Sequence, residues 1–283
     1  MSIEAGSLYV VATPIGNLAD ISQRALDVLA GVDVIAAEDT RHSRKLLAHF
    51  GIDRPMLALH EHNEKEKSSA IIERLQQGQS IALISDAGTP LISDPGYPLV
   101  SACRVAGLPV VAVPGPSAII AALSISGLPT DSFRFCGFPP RQVGKRRAFF
   151  DQFKHENATL VFYEASHRIL ESVRDMVEVF GQQRPAVVAR ELTKLFETVF
   201  SGSLAEAVDW LAADDNQRKG EFVVMLAGVE SQADSAGISV DDLLAVLLQE
   251  LPLKQAVSLA ARISGSKKNE LYQRALQLKS ADE

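Results

Sequence analysis

Ser85-Asp86-Ala87-Gly88-Thr89-Pro90-Leu91-Ile92-Ser93-Asp94-Pro95-Gly96 is a twelve-residue segment in which Ser-Asp-x-Gly occurs twice, eight residues apart. It follows the short apolar run Ser80–Ile84 and precedes a helical pattern over about Tyr97–Ala106. At the carboxyl end of a strand, glycines let the backbone approach a ligand, and short polar side chains offer it partners. A pair of Asx turns capping the next helix is the plainer reading of the same letters. On either side the strand, loop, helix pattern repeats. Leu8–Ala12 closes at Pro14, Gly16 and Asn17 and leads to apolar positions Ile21, Ala25, Leu26 and Leu29, ending at Gly31. Val32–Ala37 leads to a helix over about Thr40–Phe50, a third helix spans about Asn63–Gln77, and Pro109–Val113 opens onto Pro114-Gly115-Pro116-Ser117-Ala118. Short buried runs alternating with helices predict a doubly wound, mostly parallel sheet that binds ligands outside its carboxyl ends.

The first of these loops, Thr13-Pro14-Ile15-Gly16-Asn17-Leu18, stands where a dinucleotide fold keeps G-x-G-x-x-G, with Glu38 about twenty residues on in the place of the ribose-binding acid. Pro14 and Ile15 obstruct the amide approach to a pyrophosphate, which disfavours a nicotinamide or flavin cofactor. Glu38-Asp39-Thr40-Arg41 sets two carboxylates and a guanidinium at the end of the second strand, suited to acid/base chemistry or simply to capping a helix. His60-Glu61-His62 with Glu64 lacks a third histidine at ligand spacing, so a solvated loop is preferred to zinc and no metal is expected. Arg190-Glu191-Leu192-Thr193-Lys194, with Glu197, concentrates charge against a strand, as a substrate-handling loop or an ion-pair network would.

Beyond Pro129 the rhythm changes. Helices are expected at about Ser166–Val179 and Leu204–Ala213, while Ala186–Glu191 and Phe196–Ser201 lie close enough to pair antiparallel and Glu221–Ala227 closes the region. A second α/β domain with a mixed sheet follows from this. Gly228–Ser239 reads as a linker, and Val240–Leu248, Lys254–Ile263 and Lys267–Leu278 as helices, the last two broken at Ser264-Gly265-Ser266 in a helix-turn-helix manner. The expected domains are 1–129, 130–230 and 238–283.

With 47% hydrophobic and 22% charged residues among 283, the chain has ordinary globular usage, which excludes disordered, collagenous and disulfide-scaffold classes. Val105–Thr130 carries no charge but is interrupted by seven Gly and Pro residues, so it is not expected to span a membrane. Met1–Ser7 lacks the pattern of a signal peptide, and two isolated cysteines, Cys103 and Cys136, suit a reducing compartment; a cytoplasmic location is expected. Twenty-eight basic against 35 acidic residues give −7, so binding to a polyanion requires local basic patches. The candidates are Arg141, Lys145, Arg146 and Arg147, and Lys267, Lys268 and Arg274 in the tail.

V-A-T-P-I-G-N-L-A-D-I (Val11–Ile21), A-A-E-D-T-R (Ala36–Arg41), the twelve-residue segment, P-G-P-S-A, F-Y-E-A-S-H-R (Phe162–Arg168) and R-E-L-T-K (Arg190–Lys194) together resemble one family over about Leu8 to Leu226. It is the tetrapyrrole-methylase-fold S-adenosylmethionine-dependent methyltransferases, on the branch that acts on ribosomal RNA. The resemblance implies a homodimer of two α/β domains with the cofactor in their cleft. It also implies 2′-O-methylation of a cytidine in the decoding region of 16S rRNA, on the assembled small ribosomal subunit. A tetrapyrrole or diphthine-type methyltransferase of the same fold is the alternative, and a non-catalytic RNA- or anion-binding module would use the same loops without a methyl donor.

The resemblance carries over by position. Pro14 matches the first cofactor loop, and Ala87, Gly88, Thr89 and Ile92 match a G-G-D-x-x-I cofactor segment, with Thr89 in place of the aspartate that tetrapyrrole relatives keep. Ser117 and Ala118 match the next cofactor pair, Tyr163, Glu164 and Leu192 match second-domain positions, and Glu221 and Phe222 begin the strand beside them. Methyl transfer from a sulfonium needs alignment above all, and the ribose hydroxyl needs a proton acceptor. Glu38 or Asp39 is the candidate base, with Arg41 or Lys194 orienting substrate.

Overall fold

A computed structural model describes residues 3–60, 63–229 and 240–281. The chain divides into two compact units, Met1–Val229 and Glu230–Glu283.

The first unit holds two five-stranded sheets. Strands β1 (Leu8–Val11), β2 (Val34–Ala37), β3 (Met56–Ala58), β4 (Ile81–Ile84) and β5 (Val110–Val113) pair entirely parallel in the order β3-β2-β4-β1-β5. Because both faces are covered, the central strands are apolar throughout rather than alternating. Helices α1 (Gln23–Gly31) and α2 (Thr40–His49) pack Ala25, Val28, Leu29 and Leu47 against Tyr9, Val11, Ile35 and Ile84 on one face. Helices α3 (Glu64–Gln76) and α4 (Tyr97–Val105) bury Ile71, Leu75, Leu99 and Cys103 against Leu8, Val34, Ile81 and Leu83 on the other. The parallel doubly wound sheet expected from the sequence is the one observed, with the three-residue edge strand β3 an addition that its length hid.

The second sheet is mixed. Strands β6 (Phe133–Gly137), β7 (Thr159–Ala165), β8 (Pro185–Arg190), β9 (Thr198–Ser203) and β10 (Glu221–Leu226) lie in the order β6-β7-β10-β8-β9, with β6 and β7 parallel and every other pair antiparallel. Helix α5 (Ala118–Ser126) joins the two sheets: it leaves the first after Ser117 and lays Ile119, Ala122 and Leu123 on Val161, Val187, Ala189 and Val223 of the second. The opposite face is covered by α6 (Val143–Asp151), α7 (Ile169–Phe180) and α8 (Leu204–Ala213), which bury Phe150, Val173, Met176 and Leu211 against Phe162, Val188 and Val224. Strands β6 and β7 escape the sequence reading. In β6 Arg134 interrupts the apolar residues, and β7 ends in the polar pair Tyr163-Glu164 before Ala165.

The second unit contains α9 (Val240–Glu250), α10 (Leu253–Ser264) and α11 (Lys268–Ala281), packed around Leu243, Leu244, Val257, Ala260, Leu271 and Ala275. Gly265 ends α10 in the left-handed conformation, φ +70°, at the Ser-Gly-Ser break. Residues 230–239 of the expected linker lie outside the described residues. Among the described residues no helix is long and apolar enough to cross a membrane.

Candidate functional site

The carboxyl ends of β1, β4 and β5 open onto loops that are stitched together. The Thr13 amide donates to the Gly88 carbonyl at 2.8 Å and the Gly88 amide returns the bond to Thr13 at 3.0 Å. The Thr89 hydroxyl donates to the Pro116 carbonyl at 3.1 Å. Gly88 has φ +79°, and a Cβ there would stand 3.3 Å from Ile15 Cγ2, so the loop closes only around glycine. Leu91 and Ser93 also take positive φ, 73° and 66°, a cost that side-chain-bearing residues accept where surrounding structure imposes it.

Between these loops and the second sheet lies a cavity of about 350 Å³. From the first sheet it takes Ala87, Gly88, Thr89, Ile92, Ser117 and Ala118, and from the second Tyr163, Glu164, Leu192, Glu221 and Phe222. Residues that the family resemblance assigned separately to a cofactor thus meet around one space. Pro14 stands outside it and lines the neighbouring cavity instead. Glu164 is 2% exposed and one of its oxygens pairs with Arg168 at 2.8 Å; opposite Phe222 in the register of β7 with β10, its side chain lies on the face covered by α6, α7 and α8, away from Tyr163. Burial, with Asp94 adding to it, pushes the Tyr163 phenol up to about 12, so it stays protonated as a donor.

The neighbouring cavity, about 410 Å³, shares Ile15, Asp86, Ala87 and Glu221 with the first and adds Lys194 and the α2 residues His42, Lys45 and His49. Lys194 Nζ donates to Glu191 at 2.9 Å and to Glu221 at 3.0 Å. Burial works against its charge, but these two bonds outweigh it and hold the ammonium above the ordinary lysine value. Lys194 is therefore held as the ammonium, which disfavours it as a proton acceptor. Its stem crosses Gly16, where a Cβ would run into Lys194 Cγ.

The four catalytic candidates are not brought together. Glu38 lines the first cavity. Asp39 instead caps α2, accepting from the Arg41 amide at 2.8 Å and pairing with the Arg41 side chain, which is 90% exposed. The Arg41 amide first and its guanidinium second hold Asp39 below the usual carboxylate range, which weakens it as a base. Arg41 faces a surface groove with Arg44 and Lys45. Two carboxylates left out of the candidate set stand at the cavity. Asp86 lines both spaces and accepts the Asp39 amide at 3.1 Å, and Asp94 lines the first, its carboxyl raised chiefly by burial. The repeated Ser-Asp-x-Gly was the signal for both.

The sequence profile of the Tetrapyrrole (Corrin/Porphyrin) Methylases matches residues 7–208. The chain belongs to that family. A second profile, described as RsmI C-terminal HTH domain, matches residues 233–279. Among relatives of this tetrapyrrole methylase family member, ribosomal RNA small subunit methyltransferase I of Pseudomonas aeruginosa is 56% identical over 277 residues, 97% of this chain and 98% of the relative. The protein of the same name from Escherichia coli O157:H7 is 53% identical, covering 96% and 95%. Among solved structures, the methyltransferase CobJ superposes with TM-score 0.59 at 16% identity, over 80% of this chain and 95% of that one. Uroporphyrin-III-C-methyltransferase from Thermus thermophilus gives 0.56 at 20%, over 78% and 94%. These two share the fold.

The basic residues of this family member fall into different settings. Arg141 and Lys145 are exposed, and Arg147 pairs with Asp175 at 2.6 Å. Arg146 must be removed from the phosphate-contact set: it is 1% exposed and turned inward onto Asp175, at 2.6 Å, because its helix position faces α7 rather than solvent. In the second unit Lys267 and Lys268 are exposed, and Arg274 lies 3.7 Å from Asp241. Glu61 and His62 of the histidine-rich loop lie outside the described residues, and among the described residues no group of three or more potential ligands could hold a metal.

Proposed function

We propose that this chain is an S-adenosylmethionine-dependent ribosomal RNA methyltransferase that modifies the ribose 2′-hydroxyl of a cytidine in the decoding region of 16S rRNA. The observation that carries this reading is the cavity where the loops of one sheet meet Tyr163, Glu164 and Leu192 of the other. Relatives that bear the name ribosomal RNA small subunit methyltransferase I, more than half identical over nearly the whole chain, support the substrate. Cytoplasmic location, a homodimeric state and action on the assembled small subunit belong to the same proposal. So does its three-part division at 1–129, 130–230 and 238–283.

The residues present fit the methyl donor. The cavity lies in the size range of small-molecule sites, and Gly88 lines it without a side chain, between Ile15 and the Pro116 carbonyl, where backbone can approach a ligand. When bound, S-adenosylmethionine supplies an activated methyl group on a sulfonium, which leaves its electron pair on sulfur as the new O–C bond forms. Gly88, Thr89 and Ser117 would hold it through a close backbone, and Tyr163 offers a phenolic donor. The proton of the ribose hydroxyl goes to a carboxylate on the cavity wall, Glu38 or Asp86, rather than to Asp39. Lys194, fixed by Glu191 and Glu221, orients the acceptor. Arg141, Lys145 and Arg147, with Lys267, Lys268 and Arg274, offset the −7 charge by gathering phosphates.

Ribose-methylation mapping of rRNA from cells with and without this protein tests the reading. Loss of one 2′-O-methyl cytidine in 16S rRNA is expected; an unchanged map would overturn it.

A further inference from the structure

The second cavity adjoins the space read as the methyl donor's, sharing one wall with it, and the helix on its far side is basic. Helix α2 reads T-R-H-S-R-K-L-L-A-H and carries Arg41, His42, Arg44, Lys45 and His49 with no acidic residue, on a chain whose net charge is −7. Arg44 and Lys45 are exposed and form no salt bridge among the described residues, whereas Arg41 is occupied by Asp39. His42, Lys45 and His49 line the second cavity, and Arg44 and Lys45 line the surface groove beside it, so Lys45 borders both. Ile15, Leu18 and Leu46 give the cavity an apolar wall, and Leu18 remains 39% exposed at the opening. An apolar wall beside a row of cations matches one nucleotide splayed from a strand whose phosphates continue outward.

We infer that the second cavity receives the acceptor nucleotide of a single-stranded RNA segment and that Arg44 and Lys45, with His42 and His49, hold its phosphates. This rests on reading the first cavity as the methyl donor's. The wall common to both cavities, Ile15, Asp86, Ala87 and Glu221, is then where donor and acceptor meet. Asp86 lies on that wall and Glu38 does not, which makes Asp86 the carboxylate facing the ribose hydroxyl.

The test is fluorescence anisotropy of a labelled single-stranded oligoribonucleotide of about 10 nucleotides, long enough to fill one strand-binding groove, titrated across KCl concentrations with S-adenosylhomocysteine present. Arg44→Ala and Lys45→Ala should each flatten the slope of log K against log salt by about 0.7, and the double variant by about twice that. His42→Trp, which fills the cavity, should weaken the oligonucleotide as well. Calorimetric affinity for S-adenosylhomocysteine should stay within about twofold of wild type in all four variants, since none of these residues lines the first cavity. An unchanged slope in the double variant, with cofactor binding intact, overturns the inference. Loss of binding to purified small ribosomal subunits alone, with the oligonucleotide unaffected, also overturns it, because α2 would then be contacting something other than the strand. Failure of the wild type to bind S-adenosylhomocysteine, with the slopes still separating the variants, would instead remove the reading of the first cavity.

Discussion

Asp175→Ala should destabilise the first unit far more than Arg146→Met, although the two residues form one pair. Arg146 Nε donates to Asp175 Oδ2 at 2.7 Å, and the side chains are 1% and 6% exposed. Removing the carboxylate strands a guanidinium whose remaining partners are the Arg141 carbonyl at 3.1 Å and Glu171, 4.0 Å away and largely in water. Breaking a buried pair from one side costs about 3–5 kcal/mol. At about 2–4 °C per kcal/mol for a unit of this size, Tm should fall by about 6–20 °C. Arg146→Met leaves Asp175 bonded to Arg147 at 2.6 Å and fills the space with an apolar chain, so less than half of that loss is expected. Arg146→Met/Asp175→Leu, which removes both buried charges, should recover most of the stability. Scanning calorimetry with urea unfolding followed by circular dichroism measures all three. A loss below about 1 kcal/mol in Asp175→Ala, or a larger one in Arg146→Met, would refute the assignment of Arg146 as a buried structural cation.

Three further outcomes bear on the site. Gly16→Ala should push the Lys194 stem aside and lower single-turnover rate much as Lys194→Ala does, with cofactor affinity retained; a normal rate would show that the close packing is incidental. Asp86→Asn should depress turnover more than Asp39→Asn, because Asp39 is committed to capping α2; the reverse order, read in single-turnover assays, would restore Asp39 as the base. Tyr163→Phe should remove from the ultraviolet titration a phenol ionising near pH 12 rather than 10. Since the unfolded phenol releases its proton first, native stability should fall as pH rises above 10, and less steeply in the variant.

The parallel sheet was legible because β1 and β4 are short apolar runs closed by glycine and proline and β2 is one closed by Glu38-Asp39, and burial on both faces leaves no other pattern for them. β7 was hidden because it ends in Tyr163-Glu164-Ala165, where Tyr163 lines the cavity and Glu164 is held by Arg168, so its apolar signature is lost there. The residues assigned to the cofactor came from motif resemblance, yet their convergence on one cavity depends on α5 carrying the chain from one sheet to the other, which no spacing reveals. Asp39 and Arg146 show the converse. Charged residues in suggestive clusters were taken for chemistry, whereas one is bound to its own helix and the other turns inward to Asp175. The basic face of α2 was present in the letters, but its meaning came only from the cavity against which it lies.

Titration calorimetry of the protein with S-adenosylhomocysteine, repeated on Ser117→Trp, bears most directly on the cavity. One site per chain is expected in the wild type, and its loss in the variant with the native melting transition preserved, since Ser117 faces the cavity and its side chain makes no capping bond to α5. Absence of binding in the wild type, or undiminished binding once the cavity is filled, would contradict the assignment.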